Sequence, residues 1–388
     1  MADQQLVRTT AKLWFGADPE IFLSQDGMIV GSERALPEEG VGVSPWRPEH
    51  VPEHMLKADP IGVIRDGIQV EFNLPPTDCR EWMNLEIRYA FSCLSDHLTK
   101  MERTGQKFEA SFKQVVDVSK KELKTLSKMS RTLGCAPSFN WYTPEITVEK
   151  RLKAAGYTAD TYPVRSAGGH IHLGLPEHLM SHRDKLAPLM DVLLGNTAVM
   201  IDRDPRMAER RTIYGAAGEF RLPRHGFEYR TLSNFWLKSK ELVSLVLGLS
   251  RLAVYVLDTS VDGPTGPSTF KADQALIDLI DLRAIKTAID NNDLKLARAN
   301  FNGVKTFLLN HVPFALKRGT ECGLDGAKLE KFDVFLNKIE THGLDAWFPG
   351  NIIDNWSHSN FLLGWETFLE QQVIPEHSNL GYSNGAFQ

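Results

Sequence analysis

Apolar and polar residues alternate at a spacing of two along several short stretches of the chain, and each such stretch predicts a β-strand. Residues 218–236, GEFRLPRHGFEYRTLSNFW, give the sharpest case. Phe220, Leu222, Phe227 and Tyr229 fall on one face of two strands, and Glu219, Arg221, Glu228 and Arg230 on the other. Pro223, Arg224, His225 and Gly226 lie between them and read as a hairpin turn.

Three earlier stretches repeat the pattern. Residues 12–23, KLWFGADPEIFL, place Asp18 and Glu20 two apart with Pro19 between them. A proline there points to an edge or a bulge, although D-P-E also serves as a turn or a helix start. The SQDG at 24–27 predicts a turn into a strand at 28–30. In residues 66–75, DGIQVEFNLP, an Asp-Gly turn leads into a strand with Glu71 and Asn73 on one face and Val70 and Phe72 on the other. Residues 164–174, VRSAGGHIHLG, put His170 and His172 opposite Ile171 and Leu173. Gly168 and Gly169 precede them and let a backbone or a ligand come close.

Helical spacing takes over elsewhere. Residues 81–100 carry Trp82, Leu85, Tyr89 and Leu94 as an apolar face, predicting an amphipathic helix over the sheet. Strongly apolar helices are predicted at 182–201 and 238–257. A strand is placed near 108–118, and 136–141 reads equally as strand or loop. The DGPTGP at 262–267 is the best linker in the sequence, with helices predicted beyond it at 274–290, 293–309 and 327–341. The expected organisation is an α+β catalytic core over residues 1–261 and a mainly helical extension over 262–388 with a Gly/Ser/Asn-rich tail.

Composition narrows the class. Of 388 residues, 42% are hydrophobic and 24% charged, as in soluble globular proteins. A net charge of −5 argues against nucleic-acid binding, and the basic cluster across 113–131 has the spacing of a solvated helix face. Four scattered cysteines give no C-x-x-C pair. No signal peptide and no apolar run of about 20 residues is evident, so a cytoplasmic protein without membrane contact is expected.

One sheet face carrying Asp18, Glu20, Glu71, Asn73, His170, His172, Glu219, Arg221, Glu228 and Arg230 cannot be a dry core. Gathered carboxylates suit Mg²⁺ or Mn²⁺, and arginines among them suit phosphate. Neither a Walker sequence nor G-x-G-x-x-G is present. The residues alone therefore predict a metal-dependent nucleotide or phosphate enzyme on an antiparallel sheet.

The ordered set GADPE (16–20), VEFN (70–73), SAGGHIHLG (166–174) and the 218–236 stretch resembles the glutamine-synthetase-like carboxylate–amine ligases. The similarity is to the amidoligase branch of tailed phages labelled COOH–NH2 ligase type 2, and it covers residues 13–257. It implies a curved antiparallel sheet of the glutamine synthetase catalytic-core type, with helices on the convex face, nucleotide and metal in the concave one. It implies ATP and Mg²⁺, or Mn²⁺, as cofactors. By resemblance Asp18, Glu20, Glu71, His170 and Glu228 are metal ligands, and His170, Arg210, Arg211 and Arg221 serve nucleotide phosphates. Glu71, His172, Arg221 and Arg230 are the catalytic set, with His172 near the carboxylate substrate. Asn73 stands where a second acid could.

The implied reaction is ATP-dependent amide formation through an acyl phosphate, on a carboxylate and an amine that include peptide or protein ends. Water has to be excluded, and residues 31–59 and 203–218 are the expected lid. Three other readings compete. The H-x-H pair fits a zinc amidohydrolase, the sheet could persist in a non-catalytic phage structural or interaction protein, and guanidino-kinase relatives suggest phosphorylation without ligation.

Overall fold

A computed structural model describes residues 13–42, 62–78, 80–133, 138–144, 146–263 and 266–311, together with Asn337, Thr341, Ile353 and Trp356. Eleven strands lie among the described residues: β1 (Trp14–Gln25), β2 (Met28–Val30), β3 (Gly62–Asp66), β4 (Gln69–Asn73), β5 (Glu109–Ser111), β6 (Val115–Asp117), β7 (Phe139–Asn140), β8 (Val164–Ser166), β9 (Gly169–Gly174), β10 (Glu219–Arg221) and β11 (Gly226–Tyr229). The main sheet has nine strands in the order β3-β4-β1-β9-β11-β10-β7, with β2 and β5 paired to the far end of β1. Its pairings are all antiparallel.

The register lays the polar residues out in rows. Glu20 pairs Glu71, Asp18 pairs His170, His172 pairs Glu228, and Glu228 pairs Arg221. Apolar side chains alternate with them and point the other way, with Ala17, Ile21, Val70, Phe72, Ile171, Leu173, Phe227 and Tyr229 all buried. Pro19 does not lie at an edge. It falls between the Phe15–Thr77 bridge and the Glu20–Glu71 pair, where β1 and β4 shift register by one residue, so its missing N–H breaks no ladder bond.

Helices α1 (Arg80–Arg103), α5 (Leu186–Met190), α6 (Asn196–Ile201) and α8 (Lys240–Ser260) cover the apolar face, whereas the short α2 (Lys120–Thr125), α3 (Lys128–Arg131), α4 (Val148–Ala154) and α7 (Met207–Ile213) lie outside that core. The face predicted for α1 needs correction. Leu94 is buried as predicted, but Trp82 and Tyr89 are 56% and 57% exposed, and the helix buries Met83, Ile87, Ala90, Phe91 and Leu98. The two sets share the 3.6-residue period, and Phe91 meets Phe72 edge-on.

The predicted helix at 182–201 is interrupted. A 3-10 segment, Glu177–Lys185, leads into α5, and Asp191–Gly195 winds as a π turn before α6. The wide turn lets the Tyr229 hydroxyl donate to Asp191 Oδ1 at 2.6 Å. A Cβ on Gly195 would stand 2.4 Å from that hydroxyl, so only glycine fits. Gly169 is fixed the same way: a Cβ would lie 2.3 Å from the Ser233 carbonyl oxygen, so the close approach is made by backbone rather than by a ligand.

Beyond the linker come α9 (Ala272–Ile277), α10 (Leu282–Asp290) and α11 (Leu294–His311), with Asp281 capping α10 by accepting from the Arg283 N–H at 2.8 Å. Ile285, Ala288, Ile289, Ala297, Phe301 and Val304 join the same buried cluster as the sheet and α8. The helix predicted at 327–341 lies outside the described residues apart from Asn337 and Thr341. The segment Leu242–Ser260 is long and apolar enough to cross a membrane, contrary to the sequence reading, and 83% of its most apolar window is buried inside the fold.

Candidate active site

The polar face of the sheet forms the floor of a cavity of about 730 Å³. Asp18, Glu20, Glu71, His170, His172, Arg210, Arg221, Glu228 and Arg230 all line it. The structure therefore brings together every sequence-predicted site residue except Arg211. Arg210 and Arg211 are neighbours on α7 and point about 100° apart. Arg211 turns away and donates to the Ile289 carbonyl on α10. Asn73 is buried and does not line the cavity, and Glu219 is buried in an ion pair with Arg151.

Two groups of acids lie on this floor. In the first, Asp18, His172 and Glu228 can each place a donor atom within 4.8 Å of the others. The Asp18 Oδ2 is 2.9 Å from His172 Nε2. His170 faces the same carboxylates, its Nδ1 3.2 Å from Asp18 Oδ1 and 3.8 Å from Glu228 Oε1. In the second group, Glu20, Asp66 and Glu71 meet the same 4.8 Å limit. Glu20 Oε2 accepts from the Gly168 N–H at 2.7 Å.

Burial sets the charges. It pushes Glu20 up to about 8, helped by the nearby Asp66 carboxylate. Burial also pulls His170 down to about 4 despite Asp18 beside it, so its ring is neutral at pH 7. For Glu228 burial opposes ionisation, but His172, Arg230 and Arg221 outweigh it and hold the carboxyl down at about 2.

Arginines line the other side. Arg221 grips Glu228 with two hydrogen bonds, and Arg230 Nε sits 3.4 Å from Glu228 Oε1. Arg230 Nη1 is buried and has no hydrogen-bond partner among the described residues. Arg210 is tied down, donating to the Thr231 and Leu232 carbonyls at 2.8 and 2.9 Å. It shapes the wall rather than reaching into the cavity.

Three contributors escaped the sequence reading. Asp66 looked like a turn residue before Gly67, and only the β3–β4 register brings it to Glu20. Tyr214 follows α7 and reaches His170 and Arg230 through its hydroxyl. His225, in the hairpin turn, has its Nε2 3.3 Å from His172 Nδ1. The expected lid is also revised in part. Residues 207–214 carry the buried Met207, Arg210 and Ile213 and form a packed wall. Residues 31–42 contact α1 through His97 Nε2 and the Ala35 carbonyl, 2.7 Å apart, away from the cavity. Residues 43–59 lie outside the described residues.

The Glu20–Asp66–Glu71 group is all oxygen, the preference of Mg²⁺ and Mn²⁺. The buried, crowded Glu20 carboxyl, raised first by burial and then by Asp66, is one that a divalent cation would hold ionised. The Asp18–Glu228 pair with an imidazole suits Mn²⁺, Mg²⁺ or Zn²⁺. The unsatisfied Arg230 Nη1 suits an anion beside them. The residues fit a cation–phosphate site.

The fold is α+β, with antiparallel strands that carry acids and histidines on one face and arginines beside them. Residues 143–262 match the family described as phage phiEco32-like COOH.NH2 ligase-type 2, which supports the amidoligase resemblance. The match takes in His170, His172, Arg221, Glu228 and Arg230 and leaves Asp18, Glu20 and Glu71 before it. No curated protein matches the chain.

Proposed function

We propose that the protein is an ATP-dependent ligase that joins a carboxylate to an amine through an acyl phosphate. The observation that carries this reading is the placement of Arg221 and Arg230 on the same sheet face as two groups of cation-binding acids. The sheet would then be a core of the glutamine synthetase type. Asp18 and Glu228 with a histidine, and Glu20, Asp66 and Glu71, would hold Mg²⁺ or Mn²⁺. A cation bound there supplies charge neutralisation for phosphoryl transfer.

The chain's own residues do the rest. Arg230 directs Nη1 at the position of a phosphate or acyl-phosphate oxygen, where a pre-aimed donor stabilises developing charge. Arg221 and Arg230 hold Glu228 ionised and fixed. A carboxylate or histidine of this face is a candidate to accept the proton from the attacking amine. The cavity is roomy enough for a nucleotide with a second substrate, and peptide, protein or amino-acid carboxylates are the substrate classes we favour. The family description supports a phage origin, and action in the host cytoplasm is the location we favour.

The test is a melting curve with Mg²⁺ and a non-hydrolysable ATP analogue, run against Zn²⁺ alone and with Glu228→Gln as control. Ligand at 100 times its dissociation constant adds about 2.7 kcal/mol, a shift of a few degrees for a chain of this size. A shift that needs both metal and nucleotide and vanishes in Glu228→Gln is expected. Zinc stabilisation with no nucleotide response would favour a metallohydrolase, since Asp18, His172 and Glu228 also suit zinc.

A further inference from the structure

Tyr214 occupies the seam between the two halves of the site. Its hydroxyl lies 2.8 Å from His170 Nε2. The same oxygen receives Arg230 Nε at 3.0 Å, and Arg230 Nη2 as well. The ring is enclosed too, edge-on to His170 with centroids 5.8 Å apart and under the Arg230 guanidinium at 5.1 Å. The phenol thus contacts one residue that faces the cation-binding carboxylates and one that offers a donor to an anion.

Donor counting fixes the protons. A guanidinium can only donate, and a phenol has one hydrogen. Since two Arg230 N–H groups occupy the lone pairs of the Tyr214 oxygen, its hydrogen is directed at His170 Nε2, which accepts it. The proton of the neutral imidazole is then on Nδ1, facing Asp18 Oδ1 at 3.2 Å. Rotating or flipping the ring would break both contacts at once.

We infer that Tyr214 is a positioning residue whose hydroxyl locks the His170 ring, in a single tautomer and orientation, to the Arg230 guanidinium. The inference about cation affinity rests on the ligase reading; the inference about the ring does not. A phenylalanine keeps the packing and loses the hydroxyl that holds His170 and Arg230 together. Partners that orient a ligating histidine typically contribute 10–100-fold in metal affinity.

The test uses ¹⁵N-histidine-labelled full-length protein, with the His170 signals assigned through His170→Gln. In the metal-free wild type, two-bond ¹H–¹⁵N spectra are expected to show His170 protonated at Nδ1 alone. In Tyr214→Phe, with an unchanged near-ultraviolet circular dichroism spectrum, the ring is expected to exchange between tautomers. An unaltered His170 spectrum in Tyr214→Phe overturns the proposal, as does a wild-type ring protonated at Nε2. If Tyr214→Phe does not fold, the same comparison is made with Tyr214→Trp, and a wild-type ring protonated at Nε2 still overturns the proposal.

Mn²⁺ titration supplies the second arm. Tyr214→Phe should weaken Mn²⁺ at least tenfold, and in a His170→Gln background the same substitution should add nothing. Additive losses would show that Tyr214 does not act through His170, and would overturn the positioning role. A wild type that binds no Mn²⁺ while its His170 tautomer depends on Tyr214 would end the ligase reading and leave the lock standing.

Discussion

Arg221 and Glu228 are joined by two parallel hydrogen bonds, Nε to Oε2 and Nη2 to Oε1, each 2.7 Å long. They are cross-strand partners on the β10–β11 hairpin, so the turn itself sets their distance. Arg221→Lys keeps the charge and loses the fork. The expected outcome is a folded protein whose melting shift with Mg²⁺ and nucleotide shrinks by roughly half or more. An unchanged shift would show that charge alone at position 221 suffices.

Arg151 reaches from α4 to the buried Glu219, which also accepts from the Gly215 N–H at 2.6 Å. Arg151→Met leaves that carboxylate buried without its cation. Losing one partner of such a pair costs about 3–5 kcal/mol. Urea unfolding should show this, and Arg151→Met with Glu219→Gln should recover much of it. Equal losses in the single and double variants would refute the pairing as the cause.

Asp191 lies fully buried under the sheet, and burial pushes its carboxyl up to about 7. In the unfolded chain it ionises near 3.8. Its folded pKa is the higher one, so its contribution to stability is complete below about pH 4 and is lost as pH rises through about 7. Over that window the stability of the wild type relative to Asp191→Asn should fall by up to roughly 4 kcal/mol, at about 1.4 kcal/mol per pH unit. Parallel curves for the two proteins from pH 4 to 8 would contradict it.

On α1, Trp82→Ser and Tyr89→Ser should each change stability by less than about 0.5 kcal/mol, because both side chains are mostly exposed. Phe91→Ala, on the buried face against Phe72, should cost about 3–5 kcal/mol. Chemical denaturation of the three variants gives the comparison, and a large loss at Trp82 would put the predicted face back toward the core.

The strands and their polar faces were legible in the sequence because a period of two survives translation into a sheet without interference. Asp18, Glu20, His170, His172, Glu228 and Arg230 could be gathered for that reason. Asp66 and Tyr214 could not, since a turn aspartate and a tyrosine after a helix acquire their place only from register and from the packing of α7. Arg211 shows the converse, a charged neighbour in sequence that one step of helix rotation removes from the site. The π turn at Asp191–Gly195 left no periodic signal either, as the Tyr229 hydroxyl it accommodates lies on another element.

Helix α8 is as apolar as a bilayer-spanning segment, yet its place is under the sheet, flanked by α9 through Ala272 and Leu276. Synthesis runs from the N-terminus, so a ribosome completes this helix before the helices that finish its cover exist. For that interval the nascent chain exposes what the cell's insertion machinery is built to recognise. Rapid docking of α8 onto strands already made is then a condition of correct delivery, and a chain that stops at the 262–267 linker would leave one flank of that helix bare.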